Sequence, residues 1–215
     1  MRDLLHMSPA LVRTLDHEEL VNAFLHLQEV SENIESESRH DHLTGLRNRR
    51  GFEEEVRARI ESRIPDHNHR RKAEGSPVAI LFIDVDHFKK VNDTHGHGVG
   101  DEVLRVISDT VKRAVRPDDI VARWGGEEIV VCLSDMDSRS AALKAEVIRA
   151  SIAELPFMSE QEKFTVTVSI GVCSTKEVGY DLNILEKAAD AALYKAKRGG
   201  RNRVVRYTSL KNSKR

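Results

Sequence analysis

The apolar residues near the start of the chain fall on one side of a predicted helix. Leu20, Phe24, Leu27 and Ile34 follow one another at spacings of four, three and seven residues, the stripe of an amphipathic or coiled-coil helix. One helix cannot bury such a stripe alone, so it needs a partner surface. A second copy of the chain, another protein or the rest of the same chain would each provide that surface.

The remaining residues alternate between predicted strands and predicted helices. The apolar run from Val78 to Asp84 is typical of a central strand that is buried on both faces. Gly125 and Gly126 lie between two further strands and predict a hairpin turn. The other predicted elements are the helices 48–60, 99–114, 140–155 and 182–197 and the strands 120–124, 128–133, 164–172 and 203–207.

This order of elements predicts an α+β fold with a central, mainly antiparallel sheet and flanking helices, preceded by the N-terminal helix. We expect the helices to lie on one face of the sheet. The segment 62–77 is polar and bounded by proline, and it predicts a solvated loop between the first helix and the central strand.

Composition narrows the class of protein. The 215 residues include 34 Lys and Arg against 35 Asp and Glu, so no global basic excess attracts nucleic-acid polymers. No apolar run approaches the about 18 residues of a membrane span, and charges interrupt the N-terminal segment, so we expect a cytoplasmic protein without membrane insertion. Cys132 and Cys173 lie in apolar runs outside any ligand spacing and predict reduced core residues.

Carboxylates follow two of the predicted strands. Asp84 and Asp86 end the central strand, and Glu127 and Glu128 follow the hairpin glycines. Two such pairs at adjacent strand ends would bind Mg²⁺ or Mn²⁺, which keep substrate phosphates in their coordination shell. A nucleoside triphosphate is the implied substrate. In the competing interpretation, Asp86 caps a helix that starts at His87, and the two glutamates are solvated charges in a turn.

Several blocks, in order, resemble the GGDEF-domain diguanylate cyclase family. They are DHLTGLRNRR at 41–50, DVDHFK at 84–89, Asn92-Asp93, Gly96-His97, Gly100-Asp101, GGEEI at 125–129, DAALYKAK at 190–197 and GRN at 200–202. The resemblance covers residues 41–207. It implies a catalytic domain there, a helical dimerisation or regulatory segment at 1–40 and a basic tail at 208–215.

The resemblance implies that two GTP molecules condense to cyclic di-GMP and two pyrophosphates in a homodimer with one GTP per subunit. Glu127 would be the proton acceptor for the 3′-hydroxyl, and it would hold two Mg²⁺ or Mn²⁺ ions with Asp84 and the carbonyl of Val85. Asn92 and Asp101 would bind the guanine edge, although Asp101 also fits a helix-start charge. The other implied substrate-binding residues are His97, Phe88, Lys89, Lys197 and Arg201.

Arg116 and Asp119 form an R-x-x-D motif with five residues between Asp119 and Gly125, the family's spacing for a site of product inhibition. A solvated turn is the alternative. The companion arginine of many family members falls at Val147, with Arg149 the nearest candidate, so weak inhibition is expected. Ile129 also replaces the usual Phe of the signature, a change of apolar shape that leaves the implied ligands intact.

A second function fits the same residues. The domain would be a catalytically weak sensor of GTP or cyclic di-GMP whose N-terminal helix docks a regulatory partner. The presence of Asp84, Glu127, Asn92 and Asp101 favours the enzyme over the sensor.

Overall fold

The computed structural model describes residues 21, 22, 25, 39–64, 75–160 and 162–208. The chain divides into two compact units, residues 1–39 and 40–215. In the first unit Val21, Asn22 and Leu25 are helical, and the rest of the predicted helix from Leu20 to Ile34 lies outside the described residues. Most of the predicted basic tail lies outside them as well.

The second unit contains a succession of strands and helices that we number in chain order. They are β1 (Arg47–Asn48), α1 (Arg49–Glu61), β2 (Val78–Val85), α2 (Phe88–His95), α3 (His97–Ala114), β3 (Ile120–Gly125), β4 (Glu128–Ser134), α4 (Ser138–Ala153), β5 (Phe157–Met158), β6 (Lys163–Phe164), β7 (Val168–Ser174), α5 (Thr175–Val178), α6 (Leu182–Arg198) and β8 (Val204–Arg206).

The main sheet has the strand order β1-β3-β4-β2-β7-β8. Its inner pairs, β3–β4, β4–β2 and β2–β7, are antiparallel, whereas β1 and β8 pair in parallel with β3 and β7. Strands β5 and β6 form a separate two-stranded hairpin. The prediction of an α+β fold with a mainly antiparallel central sheet is confirmed.

Strand β2 lies in the middle of the sheet and all eight of its residues are buried. Because side chains alternate along a strand, Leu81 and Ile83 contribute to a core with α3 and α4, while Ile80 and Phe82 contribute to a core with α1 and α6. Helices therefore cover both faces, and the prediction that they lie on one face is wrong. The uninterrupted apolar run of β2 requires a cover on each side.

Local differences from the predicted elements follow from short-range pairing. The predicted strand 164–172 is divided, because Phe164 pairs with Phe157 in the small hairpin and β7 begins only at Val168. The predicted helix 48–60 corresponds to α1, where the Asn48 side chain accepts a hydrogen bond from the Gly51 N–H and caps the helix.

Within the described residues, no helix has the length and apolar character that crossing a bilayer requires.

Candidate active site

The predicted carboxylates meet at one end of the sheet. Asp84 of β2 is the register partner of Glu128 in β4, and the Val85 N–H donates to the carbonyl oxygen of Glu127 at 3.4 Å. The hairpin that carries the two glutamates turns at Gly126, whose φ of 21° is positive. Antiparallel pairing thus brings together acidic residues that are more than 40 positions apart in the sequence.

Among the described residues, one lysine contacts this acidic cluster directly. Lys197, near the end of α6, places its Nζ 2.6 Å from Oδ2 of Asp84. Burial, with a smaller contribution from the negative charges of Glu127 and Glu128, raises the pKa of Asp84 to about 6 against the lowering effect of Lys197. The pKa of Glu128 is also raised, chiefly by burial. The cluster therefore carries more negative charge than Lys197 alone neutralises.

The donor set has the chemistry that Mg²⁺ or Mn²⁺ prefers. No group of three His, Cys, Asp or Glu side chains in the described ranges has the arrangement of a metal site. The implied set needs only two carboxylates, those of Asp84 and Glu127, together with the carbonyl oxygen of Val85. A divalent cation among them would offset the burial and the like-charge crowding that raise the pKa of Asp84. The residues present thus fit such a cation.

Asp86 has a different role from its neighbour. Its Oδ1 accepts from the Ser169 hydroxyl at 2.7 Å, and its Oδ2 accepts from the Thr167 hydroxyl at 2.7 Å and the Asn202 N–H at 3.0 Å. It does not cap α2, which begins after His87 without a side-chain cap. The helix-cap interpretation is therefore wrong for Asp86, whose two carboxylate oxygens accept these hydrogen bonds and fasten the loop after α6 to the sheet.

Helices α2 and α3 bring the predicted nucleotide-binding residues together. Phe88 begins α2 with a buried side chain, and Lys89 is exposed beside it. The first N–H groups of a helix have no acceptor within it, and no side chain caps α2, so this end is suited to phosphate oxygens. A Cβ at Gly100 of α3 would overlap the carboxamide of Asn92. Asn92 thus packs against the residue that precedes Asp101.

The remaining predicted substrate-binding residues are His97, Lys197 and Arg201. His97 is exposed at the start of α3. Arg201 is exposed in the turn after α6, where its φ is 61° and its N–H donates to the carbonyl of Ala196. Because α6 ends at Arg198, Lys197 and Arg201 are not neighbours on one continuous helix. Within the part of the chain described, only Lys197 of this pair forms an ion pair with the carboxylates.

Arg123 is a functional candidate that the sequence analysis missed. Its guanidinium donates to the carbonyl of Gly126 from Nε at 3.0 Å and Nη2 at 2.7 Å, and Nη1 lies 3.1 Å from Oδ2 of Asp41. Burial acts to raise the pKa of Asp41, but hydrogen bonds from Thr44 and the charge of Arg123 lower it overall. Arg123 thus fixes the turn before Glu127. No spacing rule connects residues 82 positions apart.

The R-x-x-D residues form a closed loop beyond the other end of β4. Asp119 is buried and accepts from the Arg116 N–H at 2.9 Å and the Ser134 N–H at 3.1 Å, while the Arg116 side chain is exposed. Arg149 hydrogen-bonds Glu146 and Asn202, each at 2.7 Å. Another cation of α4, Lys144, contacts the end of α3, where its Nζ donates to the Ala114 carbonyl at 3.0 Å.

Sequence comparison places this geometry in a family. A profile described as "Diguanylate cyclase, GGDEF domain" matches residues 38–203. The chain belongs to the GGDEF domain family. It is 40% identical over 169 residues to the probable diguanylate cyclase DgcT of Escherichia coli K12, and 41% identical over 167 residues to the response regulator PleD of Caulobacter vibrioides. Each match covers 77% of this chain and 35% of the relative, so the chain spans about a third of these relatives.

Solved GGDEF structures have the same fold. The coiled coil and GGDEF domain of DgcB from Caulobacter crescentus, in complex with c-di-GMP, superposes with a TM-score of 0.76 and 28% identity over 88% of this chain and 96% of that chain. Diguanylate cyclase SiaD from Pseudomonas aeruginosa, in complex with its activator SiaC, has a TM-score of 0.71 and 33% identity, covering 86% and 68% of the two chains. The family predicted from the sequence blocks is confirmed.

Proposed function

We propose that this GGDEF domain is a diguanylate cyclase that converts two GTP molecules into cyclic di-GMP and two pyrophosphates. The observation that carries the proposal is the convergence of Asp84 with Glu127 and Glu128 at one sheet end, with Lys197 at 2.6 Å from Asp84. Like charges that are crowded and partly buried are costly unless a cation joins them. A metal–triphosphate substrate brings that cation.

Each condensation forms one P–O bond and breaks another. The 3′-oxygen of one GTP attacks the α-phosphorus of the other, the α–β bridging bond breaks, and pyrophosphate leaves. Glu127 takes the 3′-hydroxyl proton, and the exchange happens twice to close the ring. Asp84, the Val85 carbonyl and Glu127 would hold two Mg²⁺ or Mn²⁺ ions, which neutralise phosphate charge when bound. Lys197 supplies further positive charge at Asp84.

The nucleotide would lie between the acidic cluster and helix α2. The N–H groups at Phe88 and Lys89, with the side chains of Lys89 and Arg201, would bind phosphate oxygens, and the uncapped start of α2 supports this role. Asn92 and Asp101 supply an amide and a carboxylate for the guanine edge, and His97 lies near them in the sequence. Adenine lacks the N1–H and 2-amino donors of guanine, so the Asp101 carboxylate would lose those partners, which favours GTP.

The reaction requires two copies of the chain. One acidic cluster of this kind is present in the described part of each subunit, and each nucleotide must supply both an attacking hydroxyl and an α-phosphate. Two GTP-loaded subunits that face each other across a twofold axis meet that need. The segment 1–40 would raise their effective concentration. Because GTP is a cytoplasmic metabolite, we place the activity in the cytoplasm.

Incubation of the purified chain with GTP and Mg²⁺ tests the proposal. Cyclic di-GMP and pyrophosphate should appear in a ratio of about one to two, and Glu127→Gln should lower the rate by at least about 100-fold while the fold is kept. Glu154→Gln, an exposed change of the same charge at the end of α4, should leave the rate unaltered. Turnover by Glu127→Gln at the original rate would contradict the assignment.

We further propose that cyclic di-GMP inhibits the enzyme through Arg116 and Asp119. The exposed guanidinium of Arg116 is free to bind a phosphate or stack on guanine, and each Asp119 oxygen keeps a lone pair beyond its backbone bond. Arg116→Ala should raise the cyclic di-GMP concentration for half-inhibition by about tenfold or more at an unchanged initial rate. Equal inhibition of both forms would contradict this site.

A sensor without turnover is the second candidate. In this candidate the segment 1–40 docks a regulatory partner, and SiaD, a diguanylate cyclase of the same fold, is an example of a relative solved with a protein that regulates it. Calorimetry with GTP and cyclic di-GMP decides between the two functions. Tight binding with no product from a folded dimer would favour the sensor.

A further inference from the structure

We propose that His95, the last residue of α2, is a positioning residue that holds the guanine-binding turn of this helix against the β5–β6 hairpin. The inference rests on the proposed function, because it concerns how Asn92 is presented to a guanine base. It assigns a role to a side chain that does not touch the acidic cluster.

The imidazole of His95 is packed into an aromatic stack. Only 6% of its side chain is exposed, and its ring lies 4.2 Å from that of Phe164, centroid to centroid, at an interplanar angle of 9°. Phe164 in turn stacks on Phe157, at 5.7 Å and 27°. Both phenylalanines belong to the β5–β6 hairpin, which is not part of the main sheet. The stack is therefore a direct connection between α2 and that hairpin.

Hydrogen bonding does not account for this placement. Nδ1 of His95 is buried and has no hydrogen-bond partner within the described residues. Nε2 lies 4.0 Å from Oε1 of Glu162, a side chain that is 61% exposed. An ion pair at that distance and exposure contributes little. We infer that the flat face of the ring, rather than its nitrogen atoms, holds the end of α2 in place.

The end of α2 determines where Asn92 lies. His95 follows Asn92 by three residues, so the two side chains are on the same side of the helix. The Gly96 N–H donates to the carbonyl of Asn92 at 2.9 Å, and the Asn92 carboxamide has no room beside it for a Cβ at Gly100. A shift of this last turn would move the Asn92 carboxamide relative to Asp101. The guanine edge would then lose one of its two proposed hydrogen-bonding partners.

Substitution of the ring tests the role. In His95→Ala the Kd for a non-hydrolysable GTP analogue should rise by about three- to tenfold, with kcat within about twofold of the original. Preference for GTP over ITP, which lacks the 2-amino group, should fall by a similar factor because the guanine edge is no longer gripped on two sides. His95→Phe keeps a flat ring, drops the unpartnered nitrogen and should restore both values.

Two further variants separate stacking from other causes. Phe164→Leu preserves apolar volume but removes the aromatic face, so it should reproduce the change in GTP over ITP preference even if His95→Ala does not fold. Glu162→Ala should have no effect on either value; an effect as large as that of His95→Ala would overturn the stacking role. Unchanged base preference in Phe164→Leu would overturn it too. Failure of the unaltered chain to bind any guanine nucleotide would instead overturn the proposed function.

Discussion

Two buried aspartates from other parts of the chain lie beside opposite ends of strand β4. Their carboxylates have opposite kinds of surroundings. Asp84 pairs in register with Glu128 at the start of β4, where its side chain contacts Lys197 and faces two glutamates. Asp119 accepts from the Ser134 N–H at the end of β4 and from a second backbone N–H, that of Arg116. The Asp84 carboxylate thus lies near two other negative charges, whereas the Asp119 carboxylate accepts from two backbone N–H groups.

This difference separates the carboxylate of the proposed active site from one that also holds its own loop in place. The N–H groups of Arg116 and Ser134 donate to Asp119 wherever the loop is folded, so its carboxylate supports the fold itself. The raised pKa of Asp84, about 6, shows that folding makes its ionisation harder. A bound cation would compensate that cost at Asp84, and burial alone does not identify such a site.

The largest expected effect comes from Asp84→Asn. Removal of the negative charge should lower cyclic di-GMP synthesis by at least about 100-fold, because a proposed metal ligand is lost. The free energy of unfolding at neutral pH should stay within about 0.5 kcal/mol, since the ionised carboxylate is already destabilised there. Activity assays and chemical denaturation of the same preparation check both values. A large loss of stability would make Asp84 structural, like Asp119.

The same substitution at Asp119 should have the reverse outcome. Asparagine places an NH₂ group against one of two backbone N–H donors, so Asp119→Asn should lower the free energy of unfolding by about 2 kcal/mol. The thermal midpoint should fall by about 4 to 8 °C. The initial rate, measured well below that midpoint, should fall far less than in Asp84→Asn. A stable Asp119→Asn protein would show that the two backbone bonds contribute little.

Glu186 of α6 provides a smaller test, away from the site. Its Oε1 is buried without a partner among the described residues, and burial, then Glu53, raise its pKa to about 7 against Arg49 and Arg57 of α1. The native state therefore binds more protons than the unfolded one between its unfolded pKa of 4.5 and about 7, and stability falls as pH rises through that window.

Glu186→Gln should remove this dependence. After a discount for solvent screening, we expect the variant to be more stable than the original by on the order of 1 kcal/mol at about pH 8 and nearly equal to it at about pH 4. Urea denaturation of both proteins at the two pH values measures the difference. A constant difference across pH would mean that Glu186 does not titrate in this range.

Most of the fold follows from the periodicity of apolar residues along the sequence. Where the predictions differ from the structure, the causes are local. The apolar run of β2, the glycine hairpin and the helices α1, α4 and α6 agree closely with their predictions. Strand β1 contains only Arg47 and Asn48, so no repeat of apolar residues exists from which it could be found. The helices on both faces were implied by β2 itself, because an uninterrupted apolar strand has no solvated side.

The site was predictable where it is carried by short motifs and not where it depends on distant contacts. The carboxylates of Asp84, Glu127 and Glu128 follow glycine or apolar runs that place them at strand ends. Lys197 reached the predicted set only through family resemblance, since 113 residues separate it from Asp84. The contacts of Arg123 could not be predicted from its neighbours in the sequence, because an arginine next to a hairpin is typical of a solvated side chain.

Strand β8 sets a practical limit on where the domain can be truncated. It covers the outer edge of β7, with the Ile170 N–H donating to the Arg203 carbonyl at 2.9 Å and the Tyr207 N–H to the Val172 carbonyl at 2.7 Å. The family match stops at residue 203, just before β8 begins. A chain trimmed there would present a bare row of backbone donors and acceptors, and self-association through that edge would be mistaken for functional dimerisation.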